Sequence, residues 1–81
     1  MQGIPALMQP LSWDDFRDFL VVAHAGQIAR AAKIIGVDAT TIGRRLRRLE
    51  MRLGQTLFEQ TRLGQALTEQ GEALLQHVES M

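Results

Sequence analysis

At 81 residues and 9.1 kDa, the chain has room for one domain, near the lower size at which a hydrophobic core is enough without a staple. It has no cysteine, which excludes disulfides and thiolate metal sites, and 46% hydrophobic with 22% charged residues excludes wholesale disorder. Nine basic and nine acidic side chains cancel, so total charge points to no partner; no apolar run approaches the ~18 residues of a membrane span.

Residues 1–10 contain no Lys or Arg and are broken by Pro5 and Pro10, so they read as a tail rather than a secretory signal, and a cytoplasmic location is expected. Ser12 then has the character of a helix N-cap, with Asp15 in the capping-box position. Trp13, Phe16, Leu20 and Ala23, widened by Phe19 and Val22, predict an amphipathic first helix that stops at Gly26. Asp14, Asp15 and Asp18 read as acids of the helix N-terminus plus one exposed carboxylate. Ile28, Ala31, Ala32 and Ile35 predict a shorter second helix closed by Gly36. Asp38 is a suitable N-cap for a third helix, in which Ile42, Leu46, Leu49 and Leu53 form the apolar stripe and Gly54 the stop.

The helical period fails from Gln55 to Thr68. Leu57-Phe58-Glu59 and Ala66-Leu67 predict two short strands around a turn at Arg62-Leu63-Gly64-Gln65. Thr68 caps a last helix with Glu69 and Glu72 in its first turn. Its stripe of Leu74, Leu75, Val78 and Met81 is expected to lie open and to carry self-association. The domain is therefore expected over 11–67, with 68–81 beginning a linker and dimerisation helix. Because that stripe stops where the chain stops, the chain reads as an excised piece of a longer protein.

The zero net charge conceals a stripe. Residues 27–53 carry seven basic side chains (Arg30, Lys33, Arg44, Arg45, Arg47, Arg48, Arg52) against Asp38 and Glu50, while both flanks are acidic. Only Gly36-Val37-Asp38 separates the second and third helical patterns, and a turn this short makes them a helix-turn-helix. With Ile42 at zero and about 100° per residue, Thr40, Arg44 and Arg47 project away from the apolar stripe, as a major-groove face requires. Arg45, Arg48 and Arg52 flank one side, where phosphates would run. Gly43 in the second helical turn costs about 1 kcal/mol relative to alanine, and suits either close approach to DNA or a tolerant surface site.

Other chemistry is poorly represented. His24 and His77 are isolated, Ser12 and Ser80 are the only serines, and no glycine-rich loop is present. An enzyme is not expected, nor is any cofactor or metal. A helical protein-interaction module, dimerising through its last helix without binding DNA, is the competing reading.

Ala31-Ala32, Val37-Asp38-Ala39-Thr40-Thr41-Ile42-Gly43-Arg44, Arg48-Leu49-Glu50, Leu53-Gly54, Leu57-Phe58-Glu59 and Leu67-Thr68-Glu69-Gln70-Gly71-Glu72 together resemble the N-terminal domain of LysR-type transcriptional regulators, over some seventy residues from Leu11 onward. The resemblance implies a mainly α winged helix-turn-helix: a three-helix core, a small β-hairpin wing and a C-terminal linker helix. It further implies sequence-specific binding of double-stranded DNA as a homodimer, in a bacterial regulator whose small-molecule effector is bound by a domain outside this chain. It places Ala39, Thr40, Gly43 and Arg44 at the major groove, Gln27 and Ile28 at the start of the helix crossing the backbone, and 61–65 in the wing, where Arg62 is the expected DNA contact. The sequence departs from the family at Asp38, Ala39 and Thr40, where Ser, Gln and Pro are common, at Gly43 (commonly Ser) and at Gln60 (commonly Arg). Base specificity therefore does not transfer.

Overall fold

A computed structural model describes residues 13–80. The expected N-cap at Ser12, the tail over 1–10 and Met81 lie outside the described residues. The elements run α1 (Trp13–Ala25), α2 (Ile28–Ile35), α3 (Ala39–Leu53), β1 (Phe58–Thr61), β2 (Gly64–Leu67) and α4 (Glu69–Glu79). This is the expected mainly α, winged helix-turn-helix order.

The face that α1 buries differs from expectation. Trp13 is 60% exposed, and the buried positions are Asp15, Asp18, Phe19 and Val22. Asp15, Phe19 and Val22 fall at i, i+4 and i+7, so they share a helical face. Phe16, Leu20 and Ala23 flank it, half-buried. The reading of Asp18 as an exposed carboxylate is thus corrected: it is 1% exposed.

In α2 the small Ala31 and Ala32 are buried and let the helix lie close against its neighbours. Gly36 ends it at φ 93°, a left-handed conformation that favours glycine, and donates its N–H to the Ala32 carbonyl at 2.7 Å. Asp38 occupies the N-cap position of α3 in extended conformation, yet its side chain makes no capping bond. Ile42, Leu46 and Leu49 turn inward from α3 and join Phe19, Val22, Ala31, Ala32, Leu57 and Phe58 in one core. The Phe19 and Phe58 rings meet at 5.4 Å between centroids, tilted by 51°.

The hairpin is longer than expected. β1 and β2 are antiparallel, with Phe58 opposite Leu67, Glu59 opposite Ala66, Gln60 opposite Gln65 and Thr61 opposite Gly64. The sequence signal was weak because β1 buries only its first residue, leaving no apolar alternation to detect. Glu50 fixes where the strand begins: its Oε2 accepts from the Leu57 N–H at 2.8 Å and from the Phe58 N–H at 3.3 Å.

Thr68 caps α4 as expected, its hydroxyl accepting from the Gly71 N–H at 3.0 Å. Gly71 is buried against the segment before the hairpin, and a Cβ there would collide with the Leu57 carbonyl oxygen. The expected open stripe of α4 is largely covered by the chain itself. Val78 is 4% exposed, and Leu74 and Leu75 are half-buried against the core. The helix lies on α1 and β2, and His24 Nε2 and Glu79 Oε2 sit 2.9 Å apart across the α1–α4 boundary.

Candidate nucleic-acid interface

The third helix divides into an inner stripe, an outer face and one lateral edge. Ile42, Leu46 and Leu49 fill the core, which orients everything else on α3. Ala39, Thr40, Arg44 and Arg47 emerge on the exposed outer face, and Arg44 and Arg47 make no ion pair among the described residues. Gly43 sits at the edge of a concave surface between α3 and the hairpin, shared with Ile28, Arg47, Gln60 and Gln65. Nothing lies within 4 Å of a Cβ built there, so the fold does not demand glycine at this position. The space it leaves opens outward.

The lateral edge was read differently from sequence. Arg45, Arg48 and Arg52 face the buried carboxylates of α1. Arg45 Nη1 donates to Asp18 Oδ2 at 3.3 Å, and Arg52 Nη1 to Asp15 Oδ2 at 3.1 Å, while Arg48 Nη2 lies 3.7 Å from Asp15 Oδ1. Arg17 Nη2 completes the cluster at 3.3 Å from Asp18 Oδ1. The Arg52 side chain is 7% exposed, whereas Arg45 and Arg48 keep 32% and 47% of theirs in contact with solvent. The spacing contained a signal for this pairing. Two acids one turn apart on α1 match three arginines one turn apart on α3, and both rows border an apolar stripe.

The hairpin tip is docked rather than free. The Gln65 N–H donates to the Gly26 carbonyl at 2.8 Å, tying β2 to the turn between α1 and α2. Gly64 has φ 135°, and a Cβ there would run into the Gly26 carbonyl oxygen, so both its conformation and its surroundings require glycine. Gln27, exposed at the N-cap of α2, reaches the Leu63 carbonyl through Nε2 at 3.4 Å. Ile28 beside it is half-buried. Thr61 Oγ1 organises the tip, donating to the Gly64 carbonyl at 2.9 Å and accepting from the Leu63 N–H at 3.2 Å. With the backbone so engaged, the tip presents the side chains of Arg62 and Leu63, the latter 88% exposed.

The structure therefore brings Gln27, Ile28, Gly43, Arg47 and the hairpin to one side of the molecule, with Ala39, Thr40 and Arg44 on the adjoining outer face of α3. It does not bring Leu74, Leu75 and Val78 there. Among the described residues no three His, Cys, Asp or Glu side chains gather as a metal site.

This arrangement coincides with a known family. The sequence profile of the bacterial regulatory helix-turn-helix proteins of the lysR family matches residues 13–72, and the chain belongs to that family. It is 46% identical over 66 residues to the Mau operon transcriptional activator of Paracoccus denitrificans, covering 82% of this chain and 23% of that protein. It is 35% identical over 78 residues to the HTH-type transcriptional regulator DgdR of Burkholderia cepacia, covering 96% and 26%. The chain thus spans about a quarter of the length of these relatives. Its fold superposes on the CbnR protein of a solved CbnR DBD–DNA complex with a TM-score of 0.81 at 34% identity, covering 86% of this chain and 80% of that one. The BenM DBD from a complex with catB site 1 DNA, at 21% identity and a TM-score of 0.82, shares the fold.

Proposed function

We propose that the chain binds double-stranded DNA sequence-specifically as the DNA-binding domain of a bacterial LysR-type transcriptional regulator. The observation that carries this reading is the outer face of α3, where Thr40, Arg44 and Arg47 stand exposed directly opposite the core stripe. A helix held by one face and presenting arginines on the other suits the major groove, where a guanidinium reads guanine through two acceptors. Ala39 and Gly43 leave the helix slim enough for close approach. Gln27 and Ile28, at the N-terminal end of α2, lie where a backbone phosphate passes, and Arg62 at the wing tip faces the flanking minor groove or backbone. The related CbnR DBD–DNA complex supports the same partner.

Arg45 and Arg48 border this surface with part of each side chain exposed, but with a carboxylate already beside each. Dimerisation through α4 belongs to the same reading: Leu74 and Leu75, half-buried within one chain, offer the remaining apolar surface for a partner. The lengths of the relatives support a longer regulator whose effector-binding domain lies outside this chain. A regulator of this kind works beside bacterial DNA in the cytoplasm, and no helix among the described residues is long and apolar enough to cross a membrane.

The test is a fluorescence-anisotropy titration at two salt concentrations, on a duplex selected by the chain from a random-sequence pool and on random duplex. Binding should weaken steeply with salt through counterion release. Arg44→Ala should cost roughly 1–3 kcal/mol on the selected duplex and less on random DNA. Absence of binding at low salt would overturn the reading in favour of a protein-interaction module. Equal losses for Arg44→Ala on both duplexes would remove Arg44 as a base reader.

A further inference from the structure

Asp15 and Asp18 stand one turn apart on α1 and are 7% and 1% exposed. Arg45, Arg48 and Arg52 stand one turn apart on α3 and reach them at 3.3, 3.7 and 3.1 Å. Stability alone does not account for this layer. A buried ion pair loses much of its Coulomb attraction to desolvation, and well-packed apolar side chains in its place are often as stable or more so. The arginines belong to the same helix whose outer face carries Arg44 and Arg47. Five uncompensated arginines on one helix of 15 residues would attract any phosphate backbone, whatever its sequence. Discrimination is the difference between specific and non-specific affinity, so a helix attracted everywhere discriminates less.

We propose that Asp15 and Asp18 are internal counter-anions: positioning residues that hold Arg45, Arg48 and Arg52 back from DNA phosphates, limit non-specific affinity, and leave Arg44 and Arg47 as the cations that α3 presents to the duplex. The inference rests on the DNA-binding reading above. Its geometry is two-sided. Asp18 divides its oxygens between Arg17 and Arg45, and Asp15 divides its own between Arg48 and Arg52. Each carboxylate therefore fixes the head of an arginine on α3, not merely its charge.

The experiment measures the slope of log K against log salt for the 81-residue chain on random duplex and on the pool-selected duplex. Asp18→Asn keeps the shape of the side chain and removes its charge. Arg17 keeps a carboxylate in Asp14, 3.6 Å away, so the release is of Arg45 and should steepen the slope by about 0.9 per chain, the increment for one more neutralised phosphate of B-DNA. Affinity for random duplex should rise several-fold at low salt, and the ratio of selected to random affinity should fall. Arg45→Gln in the otherwise unaltered chain should leave the slope where it was, because that arginine neutralises no phosphate while Asp18 holds it. The double variant Asp18→Asn/Arg45→Gln should return to the unaltered slope, which mere loosening of the α1–α3 packing would not achieve. A melting curve checks that each variant folds; if Asp18→Asn does not, Arg45→Gln decides alone.

An unchanged or shallower slope in folded Asp18→Asn overturns the proposal, as does a loss of about one unit in Arg45→Gln. Failure of the unaltered chain to bind either duplex at low salt would show before any variant is made, and would overturn the DNA-binding reading itself.

Discussion

Removing the Glu50 carboxylate should unseat the start of the wing. Glu50 lies near the end of α3, and its Oε2 accepts from the Leu57 N–H at 2.8 Å and the Phe58 N–H at 3.3 Å. Leu57 is wholly buried, so water has poor access to replace the lost acceptor. A hydrogen bond to a charged group contributes roughly 1.5–3 kcal/mol, and a buried N–H left unpaired costs about 1–3 kcal/mol. The Phe58 bond is long and adds less. Glu50→Ala should therefore lose about 2–3 kcal/mol in all. A domain of this size is stable by only about 4–12 kcal/mol, so the loss is a substantial share. Glu50→Gln keeps an acceptor in the same place and should lose about 1 kcal/mol, the difference between a charged and a neutral bond. Urea unfolding followed by circular dichroism measures both. With a slope near 1 kcal/mol/M, the midpoint should fall by about 2–3 M for Ala and about 1 M for Gln, at unchanged slope. Equal losses in the two variants, or an Ala midpoint indistinguishable from the unaltered chain, would refute the argument.

Three further outcomes follow from the geometry. Gly71→Ala gains up to about 1 kcal/mol of helix propensity but drives a methyl into the Leu57 carbonyl, and should be destabilising on balance by about 1–3 kcal/mol in a thermal melt; a stabilised variant would contradict the packing. Arg62→Ala should flatten the salt slope of DNA binding by about 0.9 per chain if the wing tip neutralises a phosphate, and an unaltered slope would leave Arg62 a spectator. Leu74→Glu should shift sedimentation toward the monomer if α4 carries self-association, with a melting curve run alongside because Leu74 also packs on its own core; an unchanged association state in a folded variant would count against this interface.

The helical part of the fold was legible because its apolar residues recur at helical spacing with glycine stops, and α2 and α3 are bounded as that pattern predicts. The outer face of α3 was legible for the same reason, since Ile42, Leu46 and Leu49 fix which way Thr40, Arg44 and Arg47 must point. Pattern reading failed where polar groups are buried. Asp15 and Asp18 occupy core-facing positions of α1, and a hydrophobic wheel assigns carboxylates to solvent by default. Their arginine partners on α3 lie 27 to 37 residues along the chain, beyond any local window. The hairpin was underestimated because its strands are held from outside, β1 by a side chain of α3 and β2 by the turn before α2, not by their own alternation. The stripe of the last helix was expected to lie open, but Leu74, Leu75 and Val78 pack within the same chain, on a helix that lies against α1 and β2, a pairing that only tertiary structure decides.

The bond from the Gln65 N–H to the Gly26 carbonyl joins the wing to the turn between α1 and α2. Gln27 also reaches the Leu63 carbonyl, so the hairpin is tied at two points to the segment that leads into α2. On the DNA-binding reading, these ties set the span between α3 and Arg62, and a groove of another width must either deform or give up one of the two contacts. DNA steps that bend or narrow at little cost would be preferred even where no side chain touches a base, and the stiffness of the duplex would become part of what is recognised.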